Sequence, residues 1–545
     1  MKSPRDPGWR RRSLLAAALL AGIATTGCRK ATTTAATAAA EGRLLLGNGT
    51  EPSTLDPQLN TGSPESMIIS ALWEPLVRWN ASVTELQPAA AERWSVSADG
   101  RTYTFHLRRD ARWSNGEAVT AAQWARSFLR LLEPSLGAEF ATRAYDLVGA
   151  EDYHRGRTRD PAAVGLAAPD DHTLVLRLRA PTAGFLDMLV AYPWVPVHIP
   201  SVEAAGGLTR PGTDFTRPGK LLSNGPYRLA EWRPNQFVRV EANPHFRAAP
   251  RLRELRFYAI ESIDTEERAY RTGQLHGTNA VPSSKVPVYQ EARDPALRIT
   301  PRIGTHFLMF NVTRAPFQDA RVRRALALAL DRRQLVERVL RTGETPARAL
   351  VYPVAGGYEP AGQLEESLDE ARRLLAAAGF PEGRGFPAVE YLYNTSERNR
   401  EVAEAIQQMW RRHLGIAITL RNEEWKVFLQ TRTQGHYQVA RAGWLCFCPE
   451  PLELYELVLG DSPGNETKWK HAGFDAKYWQ ARGTLADAPR RALYAELDRI
   501  LHDEMPIVPF AYYTRSRLLH PAVTGWQDNL LDTRPWEGVG VGEMP

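Results

Sequence analysis

Several features that mark a specialised chain are scarce or missing. Only three cysteines occur in 545 residues, too few for a disulfide framework. No apolar run reaches the roughly 18–20 residues of a membrane-spanning helix, which excludes a multi-pass membrane protein. Proline and glycine, 39 and 40 in number, are spread along the length and exclude a coiled coil or fibre. There is no G-x-S-x-G elbow, no H-E-x-x-H, no Walker loop and no S-x-x-K with its partners. An enzyme therefore finds little support, and neither cofactor nor metal is expected. A large excess of one charge is absent too. The 68 basic and 62 acidic side chains give +6, but Lys2, Arg5, Arg10, Arg11 and Arg12 face only Asp6 at the N-terminus. Without those residues about +2 remains, too little for a general phosphate-binding field, so nucleic acid is not an expected partner.

What is present begins with an address. Lys2 to Arg12 form a basic region, Leu14 to Ala24 a short apolar one, and Thr25-Thr26-Gly27-Cys28 follows at once. Residues 1–27 read as a cleaved export signal. The last four residues resemble a lipobox, in which Cys28 becomes the lipidated first residue, although Thr25 stands where Leu is usual. Arg11-Arg12-Ser13-Leu14-Leu15 also fits a twin-arginine pattern, with the general export route as the default. Residues 28–42, rich in Ala and Thr, read as the lipidated Cys and a flexible tether of ~20 Å reach, which places the protein on the extracytoplasmic, periplasmic face of a membrane.

From Arg43 onward strand and helix patterns alternate without an internal repeat, which predicts a mixed α/β protein of two or three domains. Tyr103–Leu107 and His172–Leu178 alternate like strands, and Thr120-Ala121-Ala122-Gln123 is a capping box opening a helix that Pro134 stops. Asp319 starts a helical pattern through Leu330, and Asp331 with Gln334 caps another ending near Gly343. Ser367–Ala378 and Glu401–His413 are further helices, closed by Gly379 and Gly415. Strand Ile416–Leu420, helix Glu424–Thr433 and strand Tyr437–Trp444 complete βαβ-type units, whose sheets hold ligands at strand ends. Gly538-Val539-Gly540-Val541-Gly542 has no helix after it and reads as a terminal tail.

Aromatic residues stand out: Trp113, Trp232, Trp425 and Trp444 lie beside Gly, Arg or Asn near strand ends, where they serve either a ligand cleft or core packing. Arg432 and Arg441 flank a strand of apolar or small residues. A guanidinium there needs an anionic partner, from the chain itself or from a ligand. Cys446 and Cys448, one residue apart, leave three possibilities open: two packed thiols, an awkward disulfide, or part of a metal site short of ligands.

Six ordered segments together resemble one family. They are GTEPSTLDPQLNTGSPES (Gly49–Ser66), YTFHLRRDARWSNGEAVTA (Tyr103–Ala121), SNGPYRL (Ser223–Leu229), PFQDARVRRALALALDR (Pro316–Arg332), LYNTS (Leu392–Ser396) and EWKVFLQTRTQGHYQVARAGW (Glu424–Trp444). The chain is similar to the extracytoplasmic solute-binding proteins of ABC importers, the peptide-binding group of family 5. The resemblance implies a two-lobed periplasmic-binding-protein fold of class II type. Lobe I would comprise residues 43–73, 198–305 and 515–545, an extra subdomain 74–197, and lobe II 306–514. It implies a monomer that closes over a peptide and delivers it to separate permease and ATPase chains. Backbone groups of Thr61, Gly62 and Ser63, read as strand-like, and of Gly443, Trp444 and Leu445 would grip the peptide main chain. Arg432 and Arg441 would meet a ligand carboxylate, and Trp425, Trp444 and Tyr513 would line its pockets.

The chain also departs from that pattern. Peptide-binding members have an acidic residue after ARAGW that pairs with the ligand's α-amino group, and in ungapped register Phe447 stands there. An ammonium buried without its carboxylate loses about 3–5 kcal/mol. The expected ligand is therefore peptide-like without a free α-amino group, unless Glu450 or Glu453 substitutes. A histidine beside LYNTS is likewise replaced, by Asn399.

Overall fold

The computed structural model describes residues 34–353, 355–462 and 464–544. The export signal and Cys28 lie outside the described residues. The tether is shorter than the sequence suggests: Ala35–Ala40 form a helix capped by Thr34. Small side chains let this helix lie close, with Ala38 packed against Leu45 and Leu275 and the Ala35 amide donating to the Gly273 carbonyl.

Arg43–Gly47 pairs in parallel with Glu254–Tyr258, and Phe237–Ala242 and Tyr227–Arg233 continue that sheet antiparallel. Its apolar face packs on the helix Ser63–Leu72 and takes in Trp536 and Val539. The glycine-rich C-terminal stretch is thus docked rather than loose, with Gly540–Val541 paired to Val523–Thr524.

A second four-stranded sheet runs in the order Ala91–Val96, Thr102–Leu107, Thr173–Arg177, Leu166–Asp170. The helix Ala121–Leu131 covers it through Trp124 and Phe128. Its start is the Thr120–Gln123 capping box: Thr120 accepts from the Gln123 amide and Gln123 from the Thr120 amide. Arg130 ties this unit to its neighbours. Its buried guanidinium pairs with Asp56 at 2.5 Å and bonds Gln58 at 2.6 Å and the Gly207 carbonyl at 2.9 Å.

The largest sheet has six strands: Thr345–Pro346, Ile507–Leu518, Leu297–Phe310, Val439–Leu445, Val389–Asn394 and Ile418–Glu423. Period-two alternation feeds two cores. Leu308, Phe310, Tyr391 and Val439 face the helices Ala320–Leu328, Leu368–Ala377 and Glu397–Leu414. Phe307, Met309, Leu392 and Ala440 face Ala472–Gly483 and Asp487–Glu504. Helix Glu397–Leu414 starts a turn before the sequence expectation, because Ser396 rather than Glu401 begins it, and it ends at Gly415 in the left-handed region at φ 69°. Helix Trp425–Thr433 is capped by Glu424.

The stretch Thr61-Gly62-Ser63 is not a strand. Gly62 is the N-cap of the helix Ser63–Leu72, where Pro64 sets a helical start; the Gly62 amide donates to Asn60 and its carbonyl accepts from the Ser66 hydroxyl.

Asp56→Ala would strand the Arg130 guanidinium in a dry site. We expect it to lower the unfolding free energy of this unit by about 3–5 kcal/mol, read by chemical denaturation, with Thr120→Ala costing only about 1 kcal/mol.

Candidate functional site

The end of the six-stranded sheet collects several of the expected residues. His306 lies opposite Gly443, Thr305 opposite Trp444 and Gly304 opposite Leu445. Gly443 has no side chain, and the Tyr513 ring uses that space: a Cβ there would stand 2.3 Å from the Tyr513 hydroxyl. The ring then lies on His306, with centroids 3.5 Å apart. Burial, then Arg441 and Arg398, hold the His306 pKa well below its usual value, so this imidazole is neutral.

Arg441 occupies the same face. Its one side-chain partner among the described residues is Asn394 Oδ1, at 3.4 Å, and that oxygen also accepts from Asn399 at 2.9 Å. No carboxylate among the described residues lies within ion-pair distance of it, whereas neighbouring Arg398 is paired with Glu344. A half-buried guanidinium left this way suits a carboxylate from outside the chain.

A second cluster lies where residues 140–192 meet residues 444–453. Phe447 packs edge-on against Phe140 at 5.1 Å and Tyr192 at 5.8 Å, and the Arg143 guanidinium stands 4.9 Å from its ring centre. Tyr192 also packs on the core lined by Ile68 and Ile69 of the helix that Gly62 caps. Glu453 holds this seam together. Its carboxylate accepts from Arg143 at 3.2 Å, the Trp444 indole at 3.1 Å, and the amides of Phe447 and Cys448 at 3.0 and 3.3 Å. Desolvation works against the Arg143 charge, but Glu453 and Glu456 outweigh it and its pKa is raised.

With these bonds Glu453 has no capacity left for an ammonium. Glu450 accepts from the Tyr494 hydroxyl, and burial raises its pKa. Both acids are thus engaged within the chain. Cys446 and Cys448 are free thiols, both buried.

Other expected residues lie elsewhere. Arg432 is removed from the ligand-facing set, because Glu466 meets its charge at 2.5 Å, with the Phe428 ring beneath it. Trp425, 48% exposed, stacks on Phe428 on that same helix. Trp113 is core, donating to Gln123, and Trp232 donates to Glu51. Sequence reasoning missed Arg143, Phe140, Tyr192, His306 and Asn394. Only His306, a lone histidine in an apolar strand, carried a local signal. A surface pocket of about 420 Å³ lies apart from the seam, between Ser283–Ser284 and the helix Glu397–Leu414.

Comparison with known proteins gives the arrangement a context. The family model "Bacterial extracellular solute-binding proteins, family 5 Middle" matches residues 85–466. The periplasmic oligopeptide-binding protein OppA of Salmonella typhimurium is 32% identical, over 95% of this chain and 96% of that protein. The periplasmic murein peptide-binding protein MppA of Escherichia coli is 32% identical, over 88% and 89% respectively. The solved structure of the E. coli murein tripeptide binding protein superposes with a TM-score of 0.80 at 31% identity, covering 92% of this chain and 98% of that one. Among the described residues no helix is long and apolar enough to cross a membrane.

The seam carries two neighbouring half-buried acids as well, Asp187 and Glu450. Burial, and then Glu450, push the Asp187 carboxyl up to about 7. The fold favours the neutral acid, so its stabilisation is complete below the ordinary carboxylate pKa of about 4 and is lost as pH rises through about 7. Asp187→Asn should leave stability at pH 4 unchanged and raise it at pH 8 by about 1 kcal/mol. Thermal midpoints across that range check this; a gain that does not grow with pH would contradict it.

Proposed function

The chain belongs to the bacterial extracellular solute-binding proteins of family 5, and from that premise we propose that it captures peptides or peptide-like solutes and hands them to the permease and ATPase of an ABC importer. It performs no covalent chemistry in this role. It acts as a monomer on the extracytoplasmic face, anchored through a lipidated Cys28. Ligand contacts from Gly62–Ser66 on one side and Gly443–Leu445 on the other stabilise a closed form about the crossing strands.

The observation that carries this reading is Arg441, a guanidinium without a carboxylate partner among the described residues, set beside neutral His306 and Tyr513. It supports recognition of a ligand carboxylate, with Asn399 orienting the Asn394 oxygen behind it. At the other end Phe447, ringed by Phe140, Tyr192 and the Glu453-paired Arg143, supplies apolar surface. That end favours a blocked, cyclic or cell-wall-derived amino end over a free ammonium.

Calorimetry with tri- to pentapeptides tests both ends. N-acetylated peptides should bind at least as tightly as free ones, and C-terminal amidation or Arg441→Gln should weaken binding about 10- to 100-fold. Phe447→Asp should improve free peptides by about tenfold or more. Micromolar binding of free peptides that N-acetylation abolishes would refute the amino-end reading. No binding of any peptide, free or blocked, would turn attention to a non-peptide solute.

A further inference from the structure

Four arginines converge on a single carboxylate where the two longest strands run side by side. Arg302 comes from Leu297–Phe310, Arg515 and Arg517 from Ile507–Leu518, and Arg534 from the C-terminal segment. All reach Asp532. Arg302 Nη1 lies 3.3 Å from Oδ2, Arg515 Nε 3.4 Å from Oδ2, Arg517 Nη2 2.5 Å from Oδ1, and Arg534 Nη2 also pairs with Oδ1. The set carries a formal charge of +3.

The chain supplies only part of what these groups need. The Leu530 carbonyl accepts from Arg302, the Asp532 carbonyl from Arg534, and Asn279 Oδ1 from Arg515. Among the described residues Arg515 Nε, ion-paired to Asp532 but not hydrogen-bonded, Arg517 Nε and both Nε and Nη1 of Arg534 are buried with no hydrogen-bond partner. The Trp526 ring lies under Arg534 at 3.9 Å and Arg517 at 5.1 Å, which fixes both planes while leaving their edges free. Asp528 and Glu266 are the next carboxylates. Asp528 accepts from the Trp526 indole and Glu266 from the Asn279 and Ala280 amides, and among the described residues neither is ion-paired to the quartet.

Guanidinium groups do not shed their protons to relieve such crowding, and buried charge without a counter-charge costs several kcal/mol. Burial pushes Arg515 down to about 9 and Arg534 to about 10, as expected where negative charge is short. Arg517 and Arg534 are sealed, at 2% side-chain exposure, whereas Arg302 and Arg515, at 16% and 19%, leave one side open.

We propose that Arg302, Arg515, Arg517 and Arg534 form a binding site for a small oxyanion, a carboxylate or phosphate-class group seated beside Asp532 on the open side of Arg302 and Arg515. The site does not depend on the peptide reading. Its anion has two possible sources, a free inorganic ion or the carboxylate of the captured solute. The second is tested because Ile303, next to Arg302, accepts the Cys446 amide and so ties this strand to the segment that carries Phe447.

The test uses the mature chain, titrated with sodium sulfate, inorganic phosphate or acetate against sodium chloride at constant ionic strength, read by thermal midpoint and calorimetry. Saturable binding of at least one oxyanion, at about millimolar affinity or tighter, is expected. Arg302→Gln and Arg515→Gln, both at the open side, should each weaken it about tenfold, and Asp532→Asn should tighten it. Persistence of oxyanion binding when the cleft is filled would identify a free-ion site; mutual competition would identify the solute's carboxylate. An identical response to all salts in the wild-type chain would overturn the proposal. So would wild-type oxyanion affinity retained in both glutamine variants.

Discussion

The antiparallel pairing of Leu297–Phe310 with Ile507–Leu518 is the constraint on which the rest of the molecule depends. One end of this ribbon lies against the sheet that begins at Arg43, where the Leu518 carbonyl accepts the Thr278 amide. The other end forms the centre of the six-stranded sheet. The register breaks between Pro301 and Thr305 and again after His306. Such irregularities re-aim side chains. Here they lie next to Arg302 and His306, so the ribbon's departures from regularity coincide with its chemically active positions.

Around that ribbon cations without matched carboxylates recur. Among the described residues Arg441 has only an amide oxygen as side-chain partner, and four arginines share Asp532. Arg143 differs, since Glu453 meets its charge. Its face nevertheless turns to Phe447, so the surroundings of that ring are Phe140, Tyr192 and an ion-paired guanidinium. The lack of a matched carboxylate at Arg441 and the apolar setting of Phe447 are the two features on which the proposed preference for a ligand with a carboxylate and no free ammonium rests.

Features that depend only on neighbouring residues are legible in the sequence. The Thr120 capping box, the Asp319 and Ser367 caps and the Gly415 stop are each read from a few adjacent residues, and the observed helices begin or end there. Boundaries slip where a competing local signal wins, as when Pro64 turns Thr61–Ser63 into a helix start. The small alanines of residues 35–40 resemble a tether because their helix depends on a groove beside Leu275. Arg432 cannot be sorted from Arg441 by pattern, since its partner Glu466 is 34 residues away in sequence. The Phe447 surroundings are hidden for the same reason: Phe140, Arg143 and Tyr192 come from more than 250 positions upstream, and pattern within a window carries no information about them.

Cys446 and Cys448 have a consequence for how the protein matures. Burial, then Glu453, raises both thiols well above their usual range, so they stay protonated at neutral pH. A protonated, inaccessible thiol is a poor nucleophile toward a disulfide. Once folded, this part of the chain needs no oxidant, isomerase or reductant to keep these two thiols in their reduced form. The vulnerable interval is the one before the seam closes, which makes the speed of folding, rather than any later repair, the safeguard of this region.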